Sequence, residues 1–193
     1  MAERRPEVVL VRHGQTEWSA SGRHTGRTNV PLTDEGRRQA EALCACLSAW
    51  TFGVVLTSPL QRAAETCRLA GLGDVAQVRD DLREWDYGAY EGLTTAEIRS
   101  NRPNWNLWVD GVPNGESIEQ VGARADRVIG EVRATDGDVA LFAHGHVLRV
   151  IAARWLELPP DRGRSFVLET ATLSVLGYER ETPAMLRWNL SCG

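Results

Sequence analysis

The sequence predicts an α/β fold: one domain built on a mostly parallel sheet with helices on both faces. Three observations carry that expectation. Apolar, β-branched-rich runs recur at residues 8–11, 54–57 and 138–142, the pattern of strands buried on both faces, as parallel strands are. Segments of helical length with recognisable start signals separate these runs, so strands and helices alternate along the chain. A length of 193 residues, 42% of them hydrophobic and 25% charged, suits a single globular domain with its own core.

The elements follow in order. The first strand, 8–11, ends at Arg12-His13-Gly14. A loop over 14–32, rich in Gly, Ser and Thr, closes on Pro31; Thr33 then reads as the N-cap of a helix with Asp34 and Glu35 in its first turn, reaching about Trp50. Strand 54–57 leads to Ser58-Pro59, which reads as a helix start, with Gly71 as the C-cap. Residues 75–78 make a candidate third strand. The stretch 84–116 holds Trp85, Trp105, Trp108 and several Gly and Pro; it reads as an ordered excursion over the site with one short helix at 95–100. Ser117-Ile118-Glu119-Gln120 fits a capping box for a helix to about Arg133. Strand 138–142 ends at Ala143-His144-Gly145-His146, a helix continues to Trp155, and apolar stretches at 173–178 and 185–190 close the chain. Residues 1–193 show no repeat, low-complexity tract or linker.

A formal net charge of -4 argues against the basic face that nucleic acid or an anionic membrane requires. All 22 basic side chains are arginines, a residue suited to bidentate contacts with phosphate. Cys44, Cys46, Cys67 and Cys192 match neither a disulfide framework nor a paired zinc site, so buried free thiols are expected. The opening MAERRPEVVL lacks the long apolar region of a leader, and no later segment reaches the length of a membrane span; a cytoplasmic protein is expected. Oligomeric state is left open, with a homodimer admitted.

In open α/β sheets, ligands bind beyond the carboxyl ends of the strands. Arg12-His13-Gly14, Ser58-Pro59-Leu60-Gln61-Arg62 and Ala143-His144-Gly145-His146 all fall there. Arg12 and Arg62 offer planar forks to phosphate oxygens, and His13 and His144 offer a nucleophile or a hydrogen bond. The glycines beside each histidine let the backbone approach an anion. Transfer of a phosphoryl group to water also requires an acid. Glu84 is the leading candidate because Trp85 and Tyr87 beside it are expected to raise its pKa by desolvation, with Asp86 and Glu91 as competitors. His144-x-His146 alone lacks the further ligand that a zinc site needs. His24, in a loop, has a solvated reading beside a pocket reading, and the three tryptophans have a packing reading beside a pocket-wall reading.

Arg12-His13-Gly14-Gln15-Thr16-Glu17-Trp18, Pro31-Leu32-Thr33, Ser58-Pro59-Leu60-Gln61-Arg62 and His144-Gly145-His146 together closely resemble the histidine phosphatase superfamily, in its phosphoglycerate mutase-like branch. The resemblance implies the phosphoglycerate mutase-like fold. It implies His13 as the phosphorylated nucleophile, Arg12, Arg62 and His144 around the phosphoryl group, and Glu84 as proton donor. It also implies a two-step reaction through phosphohistidine with no metal or other cofactor. Gly14, Ser19, His24, Thr25, Gly26, Trp85, Tyr87, Gly145 and Thr172 are the expected substrate-binding residues, with Ser19 standing where the family often has asparagine. Mutases of the family carry Glu-Arg-x-Tyr-Gly, then Gly-x-Asn-Lys and a later adjacent arginine pair. This chain has Glu84-Trp85-Asp86-Tyr87-Gly88, then Gly92-Leu93-Thr94, and no such pair downstream. It therefore looks more like the acid and sugar-bisphosphate phosphatases, with a small phosphate monoester, a sugar phosphate or similar, as substrate and activity favoured at acidic pH. A cofactor-dependent phosphoglycerate mutase and a non-catalytic phospho-ligand binding module are the alternatives.

Overall fold

The structure is a computed structural model that describes residues 5–192, so the first four residues of the opening stretch weighed as a leader lie outside the described residues. Six strands form one sheet in the order β3-β2-β4-β1-β5-β6: β1 Val8–Arg12, β2 Phe52–Thr57, β3 Ala76–Val78, β4 Asp138–Ala143, β5 Leu173–Glu179 and β6 Thr182–Leu190. β1 pairs parallel with β4, and β2 pairs parallel with both β4 and β3. β5 runs antiparallel to β1 and to β6, so the sheet is mostly parallel with an antiparallel edge.

Successive residues of β1 point to opposite faces, and both faces are covered. Val8 and Leu10, with Leu141 and Leu56, join one core that includes helices α6 (Ile118–Arg133) and α7 (Gly145–Trp155) and the buried Trp85, Trp105 and Trp108. Val9 and Val11, with Phe142 and Val55, join the other, beneath α2 (Asp34–Leu47) and α3 (Gln61–Leu69). Burial on both sides is why these strands read as continuous apolar runs. The connection leaving β1 goes to β2 on one side of the sheet, and the one leaving β4 goes to β5 on the other. The neighbouring ends of β1 and β4 are thus the point where the winding reverses, where crevices form in such sheets.

Sequence signals hold at most helix ends. Thr33 accepts from the Gly36 N–H at the start of α2. Thr94 and Ser117 each close a capping box, at α4 (Thr95–Asn101) and α6. Gly71 follows α3 with φ +83°, as a helix stop requires. Four differences have local causes. Ser58-Pro59 does not begin a helix: α3 starts at Gln61, and Ser58 Oγ accepts the Leu60 N–H instead. The loop after Gly14 contains a one-turn helix α1 (Glu17–Ala20), and the excursion contains another, α5 (Leu107–Asp110), both too short to show a period. α2 stops at Leu47, short of Trp50, with Ser48 as its cap.

The cysteines are the larger correction. Cys46, on α2, is disulfide-bonded to Cys192, just beyond β6, with Cα atoms 6.0 Å apart and a sequence separation of 146. Cys44 is exposed. Cys67 is the buried free thiol, pushed up to about 12 by burial. Spacing could not reveal a bridge between partners this far apart in sequence. Such bonds persist in oxidising compartments and are rare in reducing cytosol. No helix among the described residues is long and apolar enough to cross a membrane.

Closing a chain segment of this length restricts the unfolded state by up to about 5 kcal/mol in the loop-entropy description. Reduction is therefore expected to lower the unfolding free energy by roughly 2 to 5 kcal/mol, measured by urea denaturation with and without dithiothreitol. Identical curves would contradict the bridge.

Candidate active site

The three strand ends are locked in register by backbone hydrogen bonds: the His13 N–H donates to Ala143 O (3.0 Å) and the Ser58 N–H to Phe142 O (2.9 Å). His13, Ser58 and His144 therefore lie side by side, with the His13 and His144 rings 5.2 Å apart. Beside them is a cavity of about 90 Å³ lined by residues that include Arg12, His13, Glu84, Tyr87 and Gly145. That space admits a phosphoryl group. A wider groove of about 600 Å³ shares Arg12 and Ser19 with it but contains neither His13 nor Glu84, so the reactive groups belong to the smaller cavity.

His13 Nδ1 lies 2.7 Å from the Gly14 carbonyl oxygen. A carbonyl only accepts, so Nδ1 carries the proton and the lone pair is on Nε2. Burial, then Arg62 and Arg12, push the His13 pKa well below its ordinary value, keeping the ring neutral. His144 has the opposite tautomer: Nδ1 accepts from Arg62 Nε (3.1 Å), so Nε2–H donates to Ser58 Oγ (2.8 Å). Burial, Arg62 and His13 lower its pKa as well.

Arg62 is fully buried. It donates to His144 Nδ1 and to the carbonyls of Thr25, Gly26 and Thr28, which engages four of the five guanidinium N–H groups. Arg12 donates to Leu168 O, while its buried Nε has no partner; a buried unpaired donor at a cavity wall is suited to an anion.

The three candidate acids separate by geometry. Asp86 pairs with Arg27 and caps Gly88. Glu91 accepts from the Gly26 and Thr28 N–H groups, holding the 22–28 loop. Of the three, only Glu84 lines the cavity with His13. Its oxygens accept the N–H groups of Trp85, His146 and Val147, each at 2.9 Å, two of them from the first turn of α7. The expected rise in its pKa is overturned. Burial does push it up, but the backbone N–H groups donating to both its oxygens favour the charged form and hold it below the usual carboxylate range, as several N–H donors to one carboxylate do.

The other expected residues are placed unevenly. His24, Thr25, Tyr87 and Gly145 line the cavity. Ser19 also reaches it, although its Oγ is engaged with the Thr16 backbone. Gly26 and Trp85 stand behind it: Gly26 holds Arg62 and Glu91, and Trp85 is buried with its indole N–H on Glu116 O. Thr172 lines the neighbouring groove instead, its hydroxyl donating to Glu169 O. Gly14 is required for a reason other than anion approach: a methyl group there would collide with the Gly36 carbonyl of α2. Sequence reading missed Arg23, His146, Arg149 and Leu168 on the cavity wall. His146 and Arg149 had a signal, since they are three residues apart on α7 and share a face, but His146 was weighed only as a metal ligand. Among the described residues no cluster of three or more His, Cys, Asp or Glu could hold a metal ion.

A neutral histidine, an arginine with a buried unpartnered Nε and a carboxylate around a space that admits a phosphoryl group suit phosphoryl transfer. The chain belongs to the histidine phosphatase superfamily (branch 1), whose profile matches residues 8–191. It is 43% identical over 183 residues to an acid phosphatase of Mycobacterium tuberculosis (strain ATCC 25618 / H37Rv), covering 93% of this chain and 90% of the relative. It is 40% identical over 185 residues to the sedoheptulose 1,7-bisphosphatase of Saccharomyces cerevisiae (strain ATCC 204508 / S288c), covering 79% of this chain and 68% of that one. The solved structure of an open reading frame product of Mycobacterium tuberculosis superposes with a TM-score of 0.93 at 40% identity, covering 98% of this chain and 100% of the other. The fold is thus the phosphoglycerate mutase-like one, and the chain is a phosphatase.

The buried histidines set a pH dependence of stability. His13, His144 and His146 are lowered, chiefly by burial, and His24 is lowered to about 4 by burial and His146. Below about 6.5 the unfolded chain binds protons at these rings that the folded chain refuses. Stability is therefore complete above that pH and is lost as pH falls through it. The urea midpoint is expected to drop steadily from pH 7 to pH 5, and a flat midpoint across that range would contradict the neutral assignments.

Proposed function

We propose that the chain hydrolyses small phosphate monoesters, of the sugar-phosphate kind, through a phosphohistidine on His13. The observation that carries this reading is the Nδ1–H contact to the Gly14 carbonyl, which leaves the Nε2 lone pair on the cavity side as a neutral nucleophile.

In the first step His13 Nε2 forms a bond to phosphorus while the ester P–O bond breaks. Arg12 balances the charge on the phosphoryl oxygens with the buried cation of Arg62 behind it, and neutral His144, engaged by Arg62 and Ser58, holds that arrangement in place. Glu84 gives its proton to the departing alkoxide. In the second step water attacks phosphorus, the N–P bond breaks, Glu84 takes the proton from water, and inorganic phosphate leaves. No metal or other cofactor enters either step.

Glu84 rests as a carboxylate, because its N–H donors favour the charged form. A phosphate dianion beside it opposes that charge and raises its pKa, so substrate entry brings a proton with it. The acid is thus armed by its own substrate, and turnover falls as rising pH makes that proton harder to acquire. This replaces desolvation by the aromatic neighbours as the basis for activity favoured at acidic pH. The names of the acid phosphatase and sugar-bisphosphatase relatives support the substrate class. A metabolite substrate points to the cytoplasm, and there the Cys46–Cys192 bridge has to resist thiol reduction.

Replacing Glu84 by Gln removes the acid while leaving the phosphate pocket in place. Pre-steady-state release of the leaving group, which reads the first step alone, is expected to slow about 10²- to 10⁴-fold for sugar phosphates in Glu84→Gln, whereas release from p-nitrophenyl phosphate, whose leaving group departs without a proton, slows far less. Equal losses on both substrates would remove Glu84 from the acid role.

A further inference from the structure

Beyond the phosphoryl group, the cavity wall contains a polar cluster that the two-step reaction leaves unused. The Tyr87 hydroxyl is 2.7 Å from His146 Nδ1. His24 stacks on Tyr87 at 4.9 Å, with an interplanar angle of 22°, and its buried Nε2 has no hydrogen-bond partner. The cluster is held from behind by tryptophans: Trp105 lies 5.5 Å from His24, and Trp108 lies 5.4 Å from His146. His24, Tyr87 and His146 all line the cavity that contains His13 and Glu84.

The tautomer of His146 follows from its partner. Tyr87 is buried, and its hydroxyl makes no other hydrogen bond among the described residues. A buried hydroxyl proton needs an acceptor, and Nδ1 of His146 is the one in reach. Nδ1 therefore accepts, and Nε2, which has no partner among the described residues, carries the ring proton. A neutral imidazole presents one donor and one acceptor. Two such rings side by side complement a hydroxyl group, which both donates and accepts, better than a carboxylate or a second phosphate, which accepts only. The nearest cations are already engaged: Arg23 with Glu97 and the Gly92 carbonyl, and Arg149 with the carbonyls of Gly163 and Arg164 over the Trp108 ring.

We infer that Tyr87 positions His146 as a fixed N–H donor which, with His24, forms a hydroxyl-recognising subsite for the leaving group, selecting phosphate esters of polyols over those of plain alcohols. The inference rests on the phosphatase reading above and names the part of that site which chooses among its substrates. His146 and His24 are the specificity-determining residues, and Tyr87 acts through His146.

The test compares fructose 6-phosphate with n-hexyl phosphate, two primary alkyl esters that need the same protonation of the leaving oxygen and differ in hydroxyl groups. The wild type is expected to favour the sugar ester in kcat/KM. In Tyr87→Phe and His146→Ala the ratio of the two kcat/KM values is expected to fall about tenfold, the scale of one lost hydrogen bond in a polar pocket, mainly through KM for the sugar ester. A purely structural or acid-base role would depress both substrates alike and leave the ratio unchanged, which would overturn the inference while the phosphatase reading stands. Failure of the wild type to release phosphate from either ester would overturn both. Ring ¹⁵N spectra give a second readout: His146 is expected to be protonated at Nε2 in the wild type and to lose that fixed tautomer in Tyr87→Phe. A proton on Nδ1 in the wild type would also overturn the inference.

Discussion

The site depends on one buried cation. Arg62 has no exposed surface, and a guanidinium does not shed its proton to escape burial, so each engaged N–H group must find a fixed acceptor. It finds them in two separate pieces of chain: His144 at the end of β4, and the Thr25, Gly26 and Thr28 carbonyls in the loop that follows His13. One side chain from the first turn of α3 thereby ties the β1 loop, the β2 turn and the β4 turn into a single body. The hydrogen bond to His144 also selects the tautomer of that ring, which then donates to Ser58.

The same cation governs the charges around it. With Arg12 it makes a protonated His13 unfavourable, leaving a neutral ring whose orientation the Gly14 carbonyl fixes. Glu84 is the compensating anion, anchored by N–H groups of its own neighbour and of the α7 terminus. Three guanidiniums, of Arg12, Arg23 and Arg149, line the pocket with one carboxylate and neutral imidazoles and leave it net positive, complementary to a phosphate dianion. In the proposed reaction the carboxylate gains its proton when that dianion arrives. Charge at the resting site and proton flow during turnover are thus two consequences of the same arrangement.

Much of this was legible in the sequence because the chemistry sits at strand ends. Arg12-His13, Ser58 to Arg62 and His144 stand at the carboxyl ends of strands marked by apolar runs, and capping signals at Thr33 and Ser117 placed the helices that follow. What stayed hidden depends on contacts distant in sequence. Glu84 looked desolvated by Trp85 and Tyr87, yet the groups that control it come from residues 146 and 147, about sixty positions later. Gly14 looked like an opening for phosphate, yet it is the point where the first loop crosses α2 at Gly36. The Cys46–Cys192 bridge joins α2 to the segment after β6, and the Tyr87–His146 contact joins the excursion to α7. In each case the residue type was visible and its partner was not.

The central claim is that a neutral His13, protonated on Nδ1 by its bond to the Gly14 carbonyl, attacks phosphorus through Nε2. Rapid quenching of the enzyme during turnover, followed by peptide mass spectrometry and ³¹P NMR of the labelled peptide, tests it directly. The account predicts an acid-labile phosphoryl group on His13, bonded to Nε2. A phosphoryl group on Nδ1, on another residue, or never bound to the protein while phosphate is released would contradict it.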